Sequence, residues 1–346
     1  MHYLLWISGL LAALIAVGLV YQGLGARRDR RRYTHEGQWI DIGSGRRHYL
    51  VQKGAGQATV VFEAGIAATN LNWFRIQEKV SEFASTVSYD RGGLGWSSPC
   101  RTARTPGNIV PELHELLKGA GIKPPYILVG HSFGGLVVRR FALTYPEEVT
   151  SIVLVDPMRC EEWPPLDPAK EAMLDRGKKL TRVAIPMARV GIVRLAVNSL
   201  LCRKGRTAGQ TAGRLANAAG NGGRHALDRI KDEVGKMPSE VWPIVAAHWS
   251  RPDYYRGMRS HILAVPDTVR EMQDAGPIRG IPVLLLTPGK SMPLSDECVQ
   301  RIGDNVKQVI ATESAHWIHL DEPQLLIDAI EEMVKAAAPA AVAAAG

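Results

Sequence analysis

Residues 126–136 read Tyr-Ile-Leu-Val-Gly-His-Ser-Phe-Gly-Gly-Leu. Four apolar residues run into a glycine, and a second apolar run begins two residues after Ser132. This pattern predicts a buried strand over Tyr126–Val129 and a helix from Gly134 to Tyr145, stopped before Pro146. Gly130 and Gly134 enclose Ser132 in a G-x-S-x-G elbow between the strand and the helix. Glycine is required because the turn is too tight for side chains near the serine. The turn lifts the hydroxyl clear of the sheet. It also sets the Phe133 N–H at a helix N-terminus, where it can donate to an oxyanion. An ordinary strand-to-helix turn can produce the bare pattern. The strand before it and the helix after it give the pattern its weight.

The same rhythm extends in both directions. Gln38–Ile42 and His48–Lys53 are expected as a hairpin around Gly43-Ser44-Gly45. Thr59–Phe62, Thr86–Tyr89, Ser151–Val155, Val283–Leu286 and Val306–Ala311 are expected as strands. Asn72–Phe83, Asn108–Lys118 and Pro323 to about Ala338 are expected as helices. Short continuous apolar strands alternating with helices imply an α/β fold with a mostly parallel central sheet, covered by helices on both faces. Residues 158–275 break the rhythm. They are expected as a helical cap inserted after strand 6, the strand ending at Val155. Residues 38–157 and 276–338 then form the core, and the Ala- and Pro-rich residues 339–346 a disordered tail.

A serine hydroxyl near pH 7 is a poor nucleophile. It needs a base, and the base needs an orienting carboxylate. For this elbow the expected chain order is Ser, acid, His. His316 lies in Ser-Ala-His-Trp-Ile-His, after the last strand and before the last helix, so a loop at the carboxyl edge of the sheet can bring it to Ser132. His319 is the local rival and is expected to pack or to make a structural hydrogen bond near Asp321. His131 should point away from the nucleophile. Asp156 follows its strand directly in Leu-Val-Asp-Pro and is the favoured acid. Its competing role is to cap the turn before Pro157. Asp296 is the alternative acid, being the first carboxylate after Val283–Leu286. Ile66, in Glu63-Ala-Gly-Ile66, and Phe133 are the expected backbone donors of an oxyanion hole. Asp90 and Arg91, in Tyr89-Asp-Arg-Gly-Gly-Leu-Gly-Trp-Ser97, are expected as structural ion-pair residues in the site wall.

Together these residues resemble the α/β-hydrolase superfamily over roughly residues 38–338. The likeness is strongest to bacterial membrane-associated hydrolases with an N-terminal apolar segment, an E-A-G loop, a Y-D-R-x-G-x-G-W-S segment and a V-G-H-S-F-G-G elbow. The resemblance implies a serine esterase or general hydrolase. The chain lacks the H-G-G-G of lipase-like relatives, which weakens a case for bulky tertiary esters. It also lacks an acid directly after Gly289, which leaves the choice of acid open. Relatives that open epoxides or cleave carbon–halogen bonds use Asp at the elbow, and Ser132 argues against both.

The chain has 346 residues, 46% of them hydrophobic, enough for a large core with an insertion. Its net charge of +8 raises the question of nucleic acid. The charge is concentrated, however. Arg27–Arg32 supplies +4, and residues 176–227 hold eleven Lys or Arg and no acid. Neither stretch carries a nucleic-acid-binding motif, and both fit a membrane surface better. Residues 1–26 contain no Asp, Glu, Lys or Arg, and Tyr3–Val20 is almost wholly apolar. A transmembrane anchor is expected there, with a cleaved signal sequence as the competing reading, followed by a basic juxtamembrane linker at 27–37. Arginines on the carboxyl flank favour a cytoplasmic catalytic domain. Met187–Leu201 is expected as a cap helix roofing the site or lying against anionic lipid. The four cysteines are far apart, so a zinc or redox motif is not expected.

The expected activity is cleavage of a carboxylic ester, of lipid or long-chain acyl type, through an acyl-enzyme, with no cofactor or metal. An amidase, peptidase or acyltransferase is the alternative within enzymes. A catalytically silent hydrolase fold that binds a small ligand is the alternative outside them.

Overall fold

The computed structural model describes residues 2–159, 168–201, 233–290 and 294–337. The expected tail lies outside the described residues, as does much of the cap. The chain divides into two compact units, residues 37–171 with 260–346 and residues 1–36 with 172–259.

The first unit is built on eight strands. They are β1 (Gln38–Asp41), β2 (Arg47–Lys53), β3 (Thr59–Glu63), β4 (Ser85–Tyr89), β5 (Tyr126–His131), β6 (Val149–Val155), β7 (Val283–Pro288) and β8 (Val306–Ala311), in the order β1-β2-β4-β3-β5-β6-β7-β8. β2 pairs antiparallel with β1 and β4, and all other neighbours are parallel. The central strands are buried on both faces and mostly apolar, β4 with its Ser85, Thr86 and Ser88 being the exception, and alternate side chains enter different cores. Val61, Leu128, Ile152, Leu154 and Leu285 face one core, with Leu113 and Leu116 of α3 (Pro106–Gly119) and Val137 and Phe141 of α4 (Phe133–Thr144). Val60, Phe62, Val129, Val153 and Leu286 face the other, with Ile76 of α2 (Phe74–Val80) and Leu326 and Ile330 of the last helix, Pro323–Ala337. The helix expected over 72–83 is shorter. Asn70–Trp73 is a 3-10 turn, and α2 ends at Val80.

In the second unit, α1 runs His2–Tyr33. Here the linker expected at 27–37 is corrected: residues 27–33 are the last turns of α1. Arginine is a good helix former, and Arg30–Arg32 at the carboxyl end oppose the helix dipole. The single helix expected at Met187–Leu201 is also corrected. α5 (Pro168–Arg189) and α6 (Ile192–Leu201) meet at 96°. Gly191 lies between them at φ +75, a left-handed conformation that favours glycine. α6 packs on α7 (Trp242–Trp249). α8 (Pro252–Asp274), α9 (Asp296–Ile302) and a single helical turn, Ile318–Asp321, precede the last helix, numbered α10.

α1 is long and apolar enough to cross a membrane. Its carboxyl half is not a free rod. Arg194 of α6 is buried, donating from Nε to Gln22 Oε1 at 2.8 Å and pairing through Nη1 with Asp29. Gln22 in turn donates to the Ser250 carbonyl at 2.9 Å.

Candidate active site

Ser132, Asp156, His316, Ile66 and Phe133 each follow the carboxyl end of a parallel strand in the sheet unit. Ser132 sits between β5 and α4 with φ 52 and ψ −119. A positive φ at a non-glycine residue costs on the order of 1–3 kcal/mol and persists only where its surroundings impose it. Here the backbone imposes it. Ser132 N donates to Val155 O at 3.1 Å, and Ser132 O accepts from Gly135 N and Met158 N, both at 3.0 Å. Gly134 is obligatory, since a Cβ there would collide with the Glu63 and Ala64 carbonyls.

Those same bonds bracket Asp156. It leaves β6 at φ 39, and its own N–H donates to Leu286 O of β7 at 2.9 Å. His316, in the loop after β8, places Nδ1 2.7 Å from Asp156 Oδ2. A carboxylate only accepts, so Nδ1 carries the proton and Nε2 keeps its lone pair. Asp296, the alternative acid, is exposed in the first turn of α9. Among the described residues it is Asp156 that pairs with His316.

His131 has a role that the sequence did not reveal. Its Nε2 donates to the His316 carbonyl at 2.9 Å, and its ring lies 4.6 Å from His316 and 4.4 Å from His319. Burial above all, then His319 and His316, pushes its pKa well below the usual histidine value, so the ring is neutral. The residue beside the serine therefore steadies the loop that carries His316. His319 is buried between His131 and Trp73, whose ring is 4.9 Å away.

The loop after β3 lies against the elbow. A Cβ on Gly65 would come 3.5 Å from Ser132 Cβ and 3.0 Å from His131 Nδ1. Arg91, fully buried, holds this loop. It donates to Glu63 Oε1 at 3.1 Å, to Ala64 O at 3.0 Å and to Gly65 O. Its guanidinium lies 5.1 Å from the centre of the Phe133 ring. The carbonyls are thereby fixed on the Arg91 side. The N–H groups of Ile66 and Phe133 donate to no backbone carbonyl among the described residues. Burial raises the Glu63 pKa, with Arg91 and the Tyr89 hydroxyl opposing it. Asp90 accepts from Asn70 N at 3.0 Å and Trp96 N at 2.9 Å, bracing the site wall.

A sequence family described as the alpha/beta hydrolase fold matches residues 58–176, from β3 through the elbow to the start of α5. This is an α/β-hydrolase fold. The uncharacterized protein YqjL of Bacillus subtilis is 36% identical over 110 residues, 32% of this chain and 44% of YqjL. A putative carbamate hydrolase, RutD of Klebsiella pneumoniae, is 32% identical over 102 residues, 29% of this chain and 38% of RutD. The chain thus spans less than half the length of these curated relatives. The solved structure of the epoxide hydrolase CorEH superposes with a TM-score of 0.65 at 16% identity, covering 87% of this chain and 98% of CorEH.

Proposed function

We propose that this α/β-hydrolase-fold protein is a serine hydrolase that cleaves carboxylic esters through an acyl-enzyme. The observation that carries the reading is the 2.7 Å hydrogen bond from His316 Nδ1 to Asp156, in a loop that His131 steadies beside Ser132. His316 Nε2 takes the Ser132 hydroxyl proton as Oγ attacks the ester carbonyl. The N–H groups of Ile66 and Phe133 receive the oxyanion. His316 then returns the proton to the departing alcohol. In the second half, water loses a proton to His316 as its oxygen attacks the acyl carbon; the bond to Ser132 Oγ then breaks, His316 returns the proton to Oγ, and the carboxylic acid leaves. Epoxide opening, the activity named for CorEH, is the weaker reading for this chain because a serine occupies the elbow.

The anchor is part of the proposal. α1 would hold the enzyme at a membrane, with the arginine run on the cytoplasmic side. An ester substrate of lipid or long-chain acyl type fits that location.

A fluorophosphonate probe tests the chemistry. It should label Ser132 in the full chain, and Ser132→Ala should remove both labelling and p-nitrophenyl ester hydrolysis without lowering Tm. Labelling that survives in Ser132→Ala overturns the assignment. A p-nitrophenyl ester series of increasing chain length then reads the acyl preference, with amide substrates run beside it.

A further inference from the structure

In an ordinary amphipathic helix the large apolar residues face inward. α5 reverses this. Leu174 near its start is buried in the ordinary way, but from there on its buried positions are Thr181, Ala184 and Ala188, while Leu180, Val183 and Met187, each one position earlier, are exposed. Met173 extends the exposed stripe by two turns, and Ile192 and Leu195 continue it on α6. Small residues inside and large apolar residues outside is the arrangement of helices solvated by lipid.

α1 supplies the depth. Gly18 sits against the Val190 carbonyl so closely that a Cβ would collide with it, and a Cβ on Gly191 would come 2.8 Å from the Tyr21 ring. The α5–α6 corner therefore touches α1 at Gly18 and Tyr21. These lie nine and six residues before Arg27, the first of the arginine run. At 1.5 Å per residue this is about 14 and about 9 Å along the axis, on the apolar side of the arginines. Arginines at the headgroups place a corner at that distance within the interface or the outer acyl chains. The fixing is tight, because Arg194 binds α6 to Gln22 and Asp29 of the same helix. Exposed Lys179, Arg182 and Arg189 on α5 are long enough to reach phosphates.

We propose that the α5–α6 corner is seated in the lipid interface, with Val183, Met187, Ile192 and Leu195 against acyl chains and the α5 cations at anionic headgroups. The proposal rests on α1 crossing the bilayer, and the experiment separates the two. The full chain is reconstituted in phosphatidylcholine vesicles, with and without phosphatidylglycerol, that carry a phospholipid bearing a diazirine high on its acyl chain. After irradiation, adducts are mapped by peptide mass spectrometry. Adducts are expected on α1 and on residues 183–195, with a per-residue yield in the corner within about threefold of that on α1. Phosphatidylglycerol should raise the corner yield. Val183→Asp combined with Leu195→Asp should abolish the corner adducts and leave those on α1, with an unchanged thermal melt showing that the variant folds. Adducts on α1 alone would overturn the seating and leave the anchor standing. No adducts on either would remove the anchor as well.

Discussion

Arg91 and Arg194 are both 2% exposed, yet they stabilise different kinds of structure. Arg91 acts within one sheet. β3 and β4 are parallel neighbours, and Arg91, just beyond β4, reaches the carboxylate and carbonyls at the end of β3. Arg194 ties α6 to Gln22 and Asp29, more than 160 residues earlier in the chain. The first braces a loop beside the Ser132 elbow. The second makes an apolar helix part of a folded unit. A buried guanidinium serves either purpose because it is planar, always charged and able to satisfy several acceptors at once.

The chemistry of the sheet unit gives the largest expected effect on this contrast. Asp156→Asn should lower kcat for an ester by about 10⁴-fold, because the imidazole loses the partner that sets its tautomer. Asp296→Asn should leave kcat unchanged. Equal losses would mean that Asp156 does not orient His316.

The two arginines come next. Arg91→Met and Arg194→Met should each cost about 3–5 kcal/mol, since each leaves a buried carboxylate uncompensated. Their other readouts should differ. Arg91→Met should slow fluorophosphonate labelling of Ser132, whereas Arg194→Met should leave the rate intact and speed trypsin cleavage at Arg27–Arg32, whose arginine side chains are exposed but whose backbone is helical. Adding Gln22→Leu and Asp29→Leu to Arg194→Met should recover most of the lost Tm. If both single variants slow labelling equally, the division of roles is wrong.

Acid acts on both units in the same direction. Burial, the main cause in each case, lowers His48 in the sheet unit to about 4 and His248 in the other to about 3. Each is neutral in the fold and protonated in the unfolded chain below about pH 6.5. The unfolded chain then binds more protons, so stability is full above that pH and declines as pH falls towards 4. One pKa unit corresponds to 1.36 kcal/mol, giving a loss of about 3 kcal/mol per histidine by pH 4. Glu63, raised by burial, slopes the other way. Thermal melts between pH 7.5 and 4 measure the net slope, and a Tm that rises on acidification would contradict it. His248→Gln should flatten the slope.

The smallest effect belongs to the exposed stripe. Val183→Ser or Leu195→Ser should change Tm in detergent by less than about 0.5 kcal/mol equivalent, since neither residue is buried within its unit. A large loss would show that the stripe is covered by protein.

The elbow and the strands were legible because their signals are local: apolar runs of strand length, glycines at the turn, proline at a helix end. The choice between Asp156 and Asp296 was not, because it depends on strand order. Only with β6, β7 and β8 adjacent does the residue after β6 come beside the loop after β8. Likewise, Arg91 was readable as an ion-pair residue, but its grip on the Gly65 carbonyl follows from the pairing of β3 with β4. His131 was visible only as a neighbour of Ser132. Its bond to the His316 backbone joins residues 185 apart. The break at Gly191 was hidden in a run whose composition suits one continuous helix. That the basic linker expected at 27–37 begins as the last turns of α1 was not legible from its charge, because it depends on Asp29 being buried against Arg194.

The Arg194 clamp bears on how this protein should be handled at the bench. Shortening it at the end of the apolar stretch to obtain a soluble enzyme discards Gln22 and strips the acceptor from one side of the guanidinium. Shortening it to the start of the sheet unit discards Asp29 too, leaving Arg194 without either acceptor and the α1-facing side of α6 uncovered. Detergent or nanodisc preparations that keep the whole leader avoid that fault, and a poorly behaved trimmed protein would say little about whether the hydrolase itself is robust.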